Sequence, residues 1–143
     1  MEQPGNAIAL FFQTFENNNS AGDMPTIVSQ FADPFMAAWP DGSKCVRAVD
    51  FALALPKRKQ LFRSLGCEST TLVSLDQSLL DARYVLARTR WLMNFAGNQS
   101  GRQQIMADSV YILDTSGETP KIIFYLANQD IMAVLKDRGI LPA

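Results

Sequence analysis

The sequence predicts a single α+β domain, spanning residues 1–143, whose curved antiparallel sheet walls an apolar pocket. Three observations carry this. The apolar pattern has helical spacing up to about Gly66 and strand composition after it. The strand-like segments are joined by connections too short for parallel crossovers, which need about a dozen residues or more. Finally, 48% of the chain is apolar and 10% aromatic, and a chain of this length can bury roughly 68% of the surface it exposes when unfolded.

Residues 6 to 19 set Ile8, Phe11, Phe12 and Phe15 on one helical stripe, with Asn6 available as a cap. The run Asn17-Asn18-Asn19-Ser20-Ala21-Gly22 stops that helix, because short polar side chains and glycine compete with helical hydrogen bonding. Asp23 then caps a short second helix carrying Met24, Ile27, Val28 and Phe31, with Pro25 where a missing amide proton costs nothing. Phe35 to Trp39 reads as a brief strand between Pro34 and the turn Pro40-Asp41-Gly42. From Val49 to Leu65 the pattern is helical again, interrupted or restarted at Pro56 and ended by Gly66, with a stripe of Leu55, Lys59, Phe62 and Leu65. Residues 68 to 80, 84 to 96, 103 to 114 and 121 to 128 are rich in β-branched and aromatic side chains. Turn signals separate them at Asp81, Gly97 to Gly101 and Ser116-Gly117. A closing helix runs from Asp130, its cap, to Arg138 and stops at Gly139. Three helices thus precede a meander of long strands, and a short helix ends the chain.

Composition excludes several classes of function. Thirteen basic against fourteen acidic residues leave almost no net field to attract a polyanion, so nucleic acid is not an expected partner. The one basic run, Lys57-Arg58-Lys59, reads as a solvated helix face or as a contact for a phosphate or an acidic partner. There is no histidine, which removes imidazole triads, HExxH zinc sites and histidine proton shuttles. Cys45 and Cys67 form neither a disulfide framework nor a zinc spacing and read as free thiols in a reducing compartment. No phosphate loop, nucleotide fingerprint or metal-ligand cluster stands out, so neither cofactor nor metal is expected. With no signal-like start and no run of about 18 to 20 apolar residues, no membrane contact is expected and the location is expected to be cytoplasmic.

Alternation in the second long strand puts Val85, Ala87, Thr89, Trp91, Met93 and Phe95 on the face that meets the helices. Tyr84, Leu86, Arg88, Arg90, Leu92 and Asn94 share the other. Leu86, Leu92 and the apolar strand Ile122 to Leu126 leave more hydrophobic surface than one helical cover hides, so a homodimer through the outer sheet face is expected.

The element order, together with the segment Phe31-Ala32-Asp33-Pro34-Phe35-Met36-Ala37-Ala38-Trp39-Pro40-Asp41-Gly42, resembles the nuclear transport factor 2-like superfamily with its SnoaL-like and ketosteroid-isomerase-like branches. The resemblance covers nearly the whole chain. It implies a cystatin-like cone: a strongly bent antiparallel sheet packed on three N-terminal helices, a ligand cavity between them, and dimers through the sheet. It implies no single function, since the same scaffold serves isomerases, cyclases, dehydratases, dioxygenase subunits and binding domains. In the isomerase pattern the general-base aspartate falls at Trp39 and the oxyanion-hole tyrosine at Phe15. Neither indole nor phenyl accepts a proton from a carbon acid, so ketosteroid-type isomerisation is disfavoured. The second oxyanion donor falls at Asp108, with Ser109 one residue away as its rival.

Asp108 is the one carboxylate in the middle of an expected strand. Turned inward it would be desolvated, its pKa would rise and it would serve as the catalytic acid or base; turned outward it would be solvated or paired with Arg88 or Arg90. Phe15, Trp39, Trp91, Tyr111 and Tyr125 are the expected ligand-binding residues, each equally able to serve as core or interface packing. Asp33, before Pro34, reads as a turn-fixing side chain. Three readings of function follow: a domain holding a small, largely apolar molecule in the cone; a SnoaL-like isomerase, cyclase or dehydratase using Asp108; and a dimerisation module whose cavity is filled by its own side chains.

Overall fold

In the computed structural model, which describes residues 4–98 and 101–141, two helices precede the first hairpin. These are α1 (Pro4–Ala21) and α2 (Met24–Ser29), followed by β1 (Phe31–Trp39) and β2 (Gly42–Val46). Next come α3 (Ala48–Ser64), the long strands β3 (Cys67–Leu79), β4 (Tyr84–Asn98), β5 (Gly101–Asp114) and β6 (Lys121–Ala127), and finally α4 (Ile131–Asp137). All six strands form one sheet in the order β2-β1-β6-β5-β4-β3. Neighbours are antiparallel except β1 and β6, which run parallel. That exception departs from the all-antiparallel expectation, and it is possible because α3 and four strands intervene between the two partners. Register shifts in β1, β3, β4 and at the β5–β6 pairing mark bulges, and bulges bend a sheet and add twist.

The helix boundaries follow from local chemistry. Asp23 caps α2 by accepting a hydrogen bond from the Thr26 amide at 3.3 Å, and Asp130 caps α4 through the Ala133 amide at 3.2 Å. Gly22 and Gly66 take positive φ angles of 72° and 93° where α1 and α3 end, a conformation that side-chain-bearing residues avoid. α3 lacks a side-chain cap of its own at Arg47; instead Asp33, on β1, accepts from the Ala48 amide at 2.9 Å. Asp33 therefore joins β1 to the start of a helix that is distant in sequence.

Four boundaries differ from the sequence reading. Phe31 opens β1 and is not the last turn of α2. β2 forms from Gly42-Ser43-Lys44-Cys45-Val46, a stretch with little strand composition that pairs because the turn folds it back on β1. Pro56 lies inside one continuous α3 and does not restart it. Asn6 falls within α1, which begins at Pro4. The turn expected over Gly97 to Gly101 separates β4 from β5, and its residues 99–100 lie outside the described residues.

The core sits between the helices and one sheet face, in two clusters. One gathers Ile8, Phe11, Phe12 and Phe15 of α1 against Val85, Ala87, Trp91, Tyr111, Leu113 and Ile122 of the sheet. The other packs Phe62 and Leu135 of α3 and α4 against Met93, Phe95 and Ile105. All six residues assigned to the helix-facing side of β4 are buried. Glu16 adds a polar tie: its carboxylate accepts from the Leu72 amide at 2.6 Å, where β3 changes register with β4. Among the described residues, no helix is long and apolar enough to cross a membrane.

Candidate functional site

The covered face of the sheet is not uniformly apolar. Beneath the first core cluster, strand pairing brings Thr89 opposite Ser109, and Ala87 opposite Tyr111. On the next strand Ser109 pairs with Ala127, and Tyr111 with Tyr125. Alternation then points Thr89, Ser109 and Tyr111 toward the helices, and all three are buried. Their polar atoms satisfy one another. The Trp91 indole nitrogen donates to the Thr89 hydroxyl at 2.9 Å, and that hydroxyl donates to the Ser109 carbonyl at 3.3 Å. The Tyr111 hydroxyl is influenced by the Ser109 and Trp91 side chains, which act to lower its pKa. Burial, foremost, pushes the Tyr111 phenol well above its ordinary pKa, so it stays neutral and keeps its proton for donation.

Aromatic rings close one side of this polar group. Phe15 lies 6.1 Å from Trp91 and 6.2 Å from Tyr111, centroid to centroid. Tyr111 stands 5.1 Å from Phe12 and 5.2 Å from Tyr125. The deepest part of the cone beneath α1 is therefore filled by the protein's own rings. On the other side, a depression of about 370 Å³ opens between α3 and α4, walled by Phe51, Ala54, Leu55, Leu61 and Met132 with Lys57 and Arg58 at its rim. Phe51 and Leu55 of this wall also pack on the core cluster that contains Trp91 and Tyr111.

Four of the five expected ligand residues, Phe15, Trp91, Tyr111 and Tyr125, thus meet in one cluster. Trp39 stands apart: at the end of β1 it is 41% exposed and its indole lies over Gly42 in the β1–β2 turn. Asp108 also departs from the position its proposed chemistry needs. It faces outward on β5, opposite Arg90, whose guanidinium donates to it at 2.9 Å. Its amide is held by the Gln129 side chain at 2.8 Å, which continues the ladder beyond the end of β6. Of the two rivals at this place, Ser109 is the one turned toward the helices and buried. Outside, Asp108, Arg90, Arg88, Asp76 and Ser74 line a second, polar depression of about 350 Å³.

In the sequence Thr89 falls on the expected covered face with no role of its own, and Arg58 stands only within a basic run. The signal for both was present: small or hydroxylated residues at Ala87, Thr89, Ala107, Ser109 and Ala127 mark where the sheet leaves room, and Phe51, Leu55, Arg58 and Phe62 recur at helical spacing. Among the described residues, no three Cys, Asp or Glu side chains converge to hold a metal ion.

No family model matches the chain, and no curated protein matches its sequence. Solved structures do match. A nuclear transport factor 2-like protein of unknown function from Shewanella oneidensis superposes with a TM-score of 0.70 at 12% identity, over 89% of this chain and 100% of that one. A nuclear transport factor 2-like protein with a cystatin-like fold from Novosphingobium aromaticivorans gives 0.71 at 8% identity, over 96% and 88%. The beta subunit of the benzoate 1,2-dioxygenase from Burkholderia mallei gives 0.63 at 15% identity, over 94% and 96%. The chain has the nuclear transport factor 2-like, cystatin-like fold.

Proposed function

We propose that this domain binds a small, largely apolar molecule between α3, α4 and the covered face of the sheet. The observation that carries the reading is the composition of that place. An apolar wall of Phe51, Ala54, Leu55, Leu61 and Met132 is joined by just two polar side chains, Lys57 and Arg58, and small-molecule sites combine affinity with orientation in this way. The buried polar groups of the sheet behind it, Thr89, Trp91, Ser109 and Tyr111, bond among themselves and are not groups that move protons at neutral pH. Asp108, on the opposite face and paired with Arg90, gives the isomerase, cyclase or dehydratase alternative no support.

The outer sheet face supports a homodimer, and the free thiols of Cys45 and Cys67 suit a cytoplasmic protein. Native mass spectrometry of the chain purified from its own host, followed by denaturing release, tests the binding. The expected result is a reproducible bound compound with a predominantly apolar body, lost from the Leu61→Glu variant, which sets a carboxylate in the apolar wall. A clean apo mass, or the same occupancy in Leu61→Glu, would sink the reading.

A further inference from the structure

The cations of α3 are unequally used. Lys59 is half-buried and donates to the Asn19 carbonyl at the end of α1, while burial and then the neighbouring Arg63 lower its pKa. Lys57 and Arg58 instead face the opening between α3 and α4. Arg58 lies over the Phe62 ring at 5.0 Å, a contact that fixes the guanidinium plane while leaving its donors free. The ion pairs among the described residues are Arg83–Asp114, Arg90–Asp108 and Arg102–Glu68, so neither Lys57 nor Arg58 is matched by a carboxylate. A fixed, unpaired guanidinium beside a lysine, at the rim of an otherwise apolar wall, is complementary to one chemistry: an anionic head on an apolar body.

We infer that the ligand is a small amphipathic carboxylic acid, its apolar body against Phe51, Leu55, Leu61 and Met132 and its carboxylate paired with Arg58. The inference rests on the binding reading above and narrows it to a ligand class. Arg58 offers a planar fork that matches a carboxylate's two oxygens, and Lys57 adds a second positive charge at the rim. The apolar wall contributes affinity to charged and neutral ligands alike, whereas Arg58 discriminates between them.

The test compares decanoate with decanol, which share a chain and differ in the charged head, by isothermal titration calorimetry on the 143-residue chain. Decanoate is expected to bind at least about tenfold more tightly than decanol, a difference of about 1.4 kcal/mol. In Arg58→Gln that preference should fall to near unity with decanol affinity unchanged, Arg58→Lys should recover part of it, and Arg63→Gln, away from the opening, should keep it whole. Equal affinities for the two probes in the unmodified protein would overturn the inference and leave the apolar site standing. Binding of neither probe would overturn both. A preference that survives Arg58→Gln would also refute the assignment, since the discriminating charge would lie elsewhere.

Discussion

Tyr111 shows how one residue joins stability to the site. Its ring fills the space between Phe12 and Tyr125, and its hydroxyl is buried, with Ser109 and Trp91 acting to lower its pKa. Because burial raises its pKa in the folded state, the unfolded chain ionises first as pH rises past the free tyrosine value of about 10. Above that pH the folded state binds more protons than the unfolded one, so stability falls with rising pH. Urea midpoints at neutral and alkaline pH should therefore show a steeper loss for the natural chain than for Tyr111→Phe. At neutral pH the variant should cost on the order of 1 kcal/mol, the usual net value of a lost hydrogen bond. Equal alkaline slopes in both proteins would mean that the phenol is not the titrating group. Asp114 shows the opposite sign on the surface. Arg83 holds its carboxyl well below the usual range, so what it contributes is lost as pH falls toward that depressed pKa, and solvent screening keeps the effect small.

Among the elements, those with strong periodicity were legible and those formed by tertiary pairing were not. α1, the four long strands and α4 follow from apolar spacing, glycine stops and aspartate caps that act within a few residues. β2 has no such signal, because its pairing is set by β1 and the turn beneath Trp39. For the site, alternation along β4 and β5 identified which residues share a face but not which face β5 would bury. Asp108 and Ser109 were separated only when the hydrophobic set Ile105, Tyr111 and Leu113 turned inward together. α3 carries the clearest conflict between local and tertiary demands. Pro56 lies in its interior, where it cannot donate to the carbonyl one turn earlier, and its side chain is exposed. Pro56→Ala should therefore raise stability by about 1–3 kcal/mol, read as a higher thermal midpoint with unchanged far-ultraviolet dichroism. A lower midpoint would show that the proline's fixed backbone angle stabilises the helix more than the missing hydrogen bond costs.

For the molecule as a whole, the helices cover one face of the sheet and leave the other to be accounted for. On that outer face, Leu86, Ile112, Phe124 and Met36 lie side by side across β4, β5, β6 and β1, with Val110, Leu126 and Ala38 in the next row. Met36 and Met106 are 40% and 44% exposed, and Leu86, Ile112 and Phe124 are only half-buried. Beside this patch the Arg90–Asp108 pair and the charges Arg88 and Asp76 form a polar margin. An apolar centre with a mixed-charge margin suits a two-fold pairing, because in an isologous contact each arginine can meet an aspartate of the other copy. Sedimentation equilibrium should find twice the chain mass. Phe124→Lys, which sets two like charges near the two-fold axis, should yield monomers that keep the native dichroism, whereas Leu53→Lys on the exposed side of α3 should leave the dimer intact. A natural chain that sediments as a monomer at high protein concentration would remove the outer face as a contact. A dimer that survives Phe124→Lys would move the interface to another surface, with the exposed edges of β2 and β3 the next to probe by charge substitution.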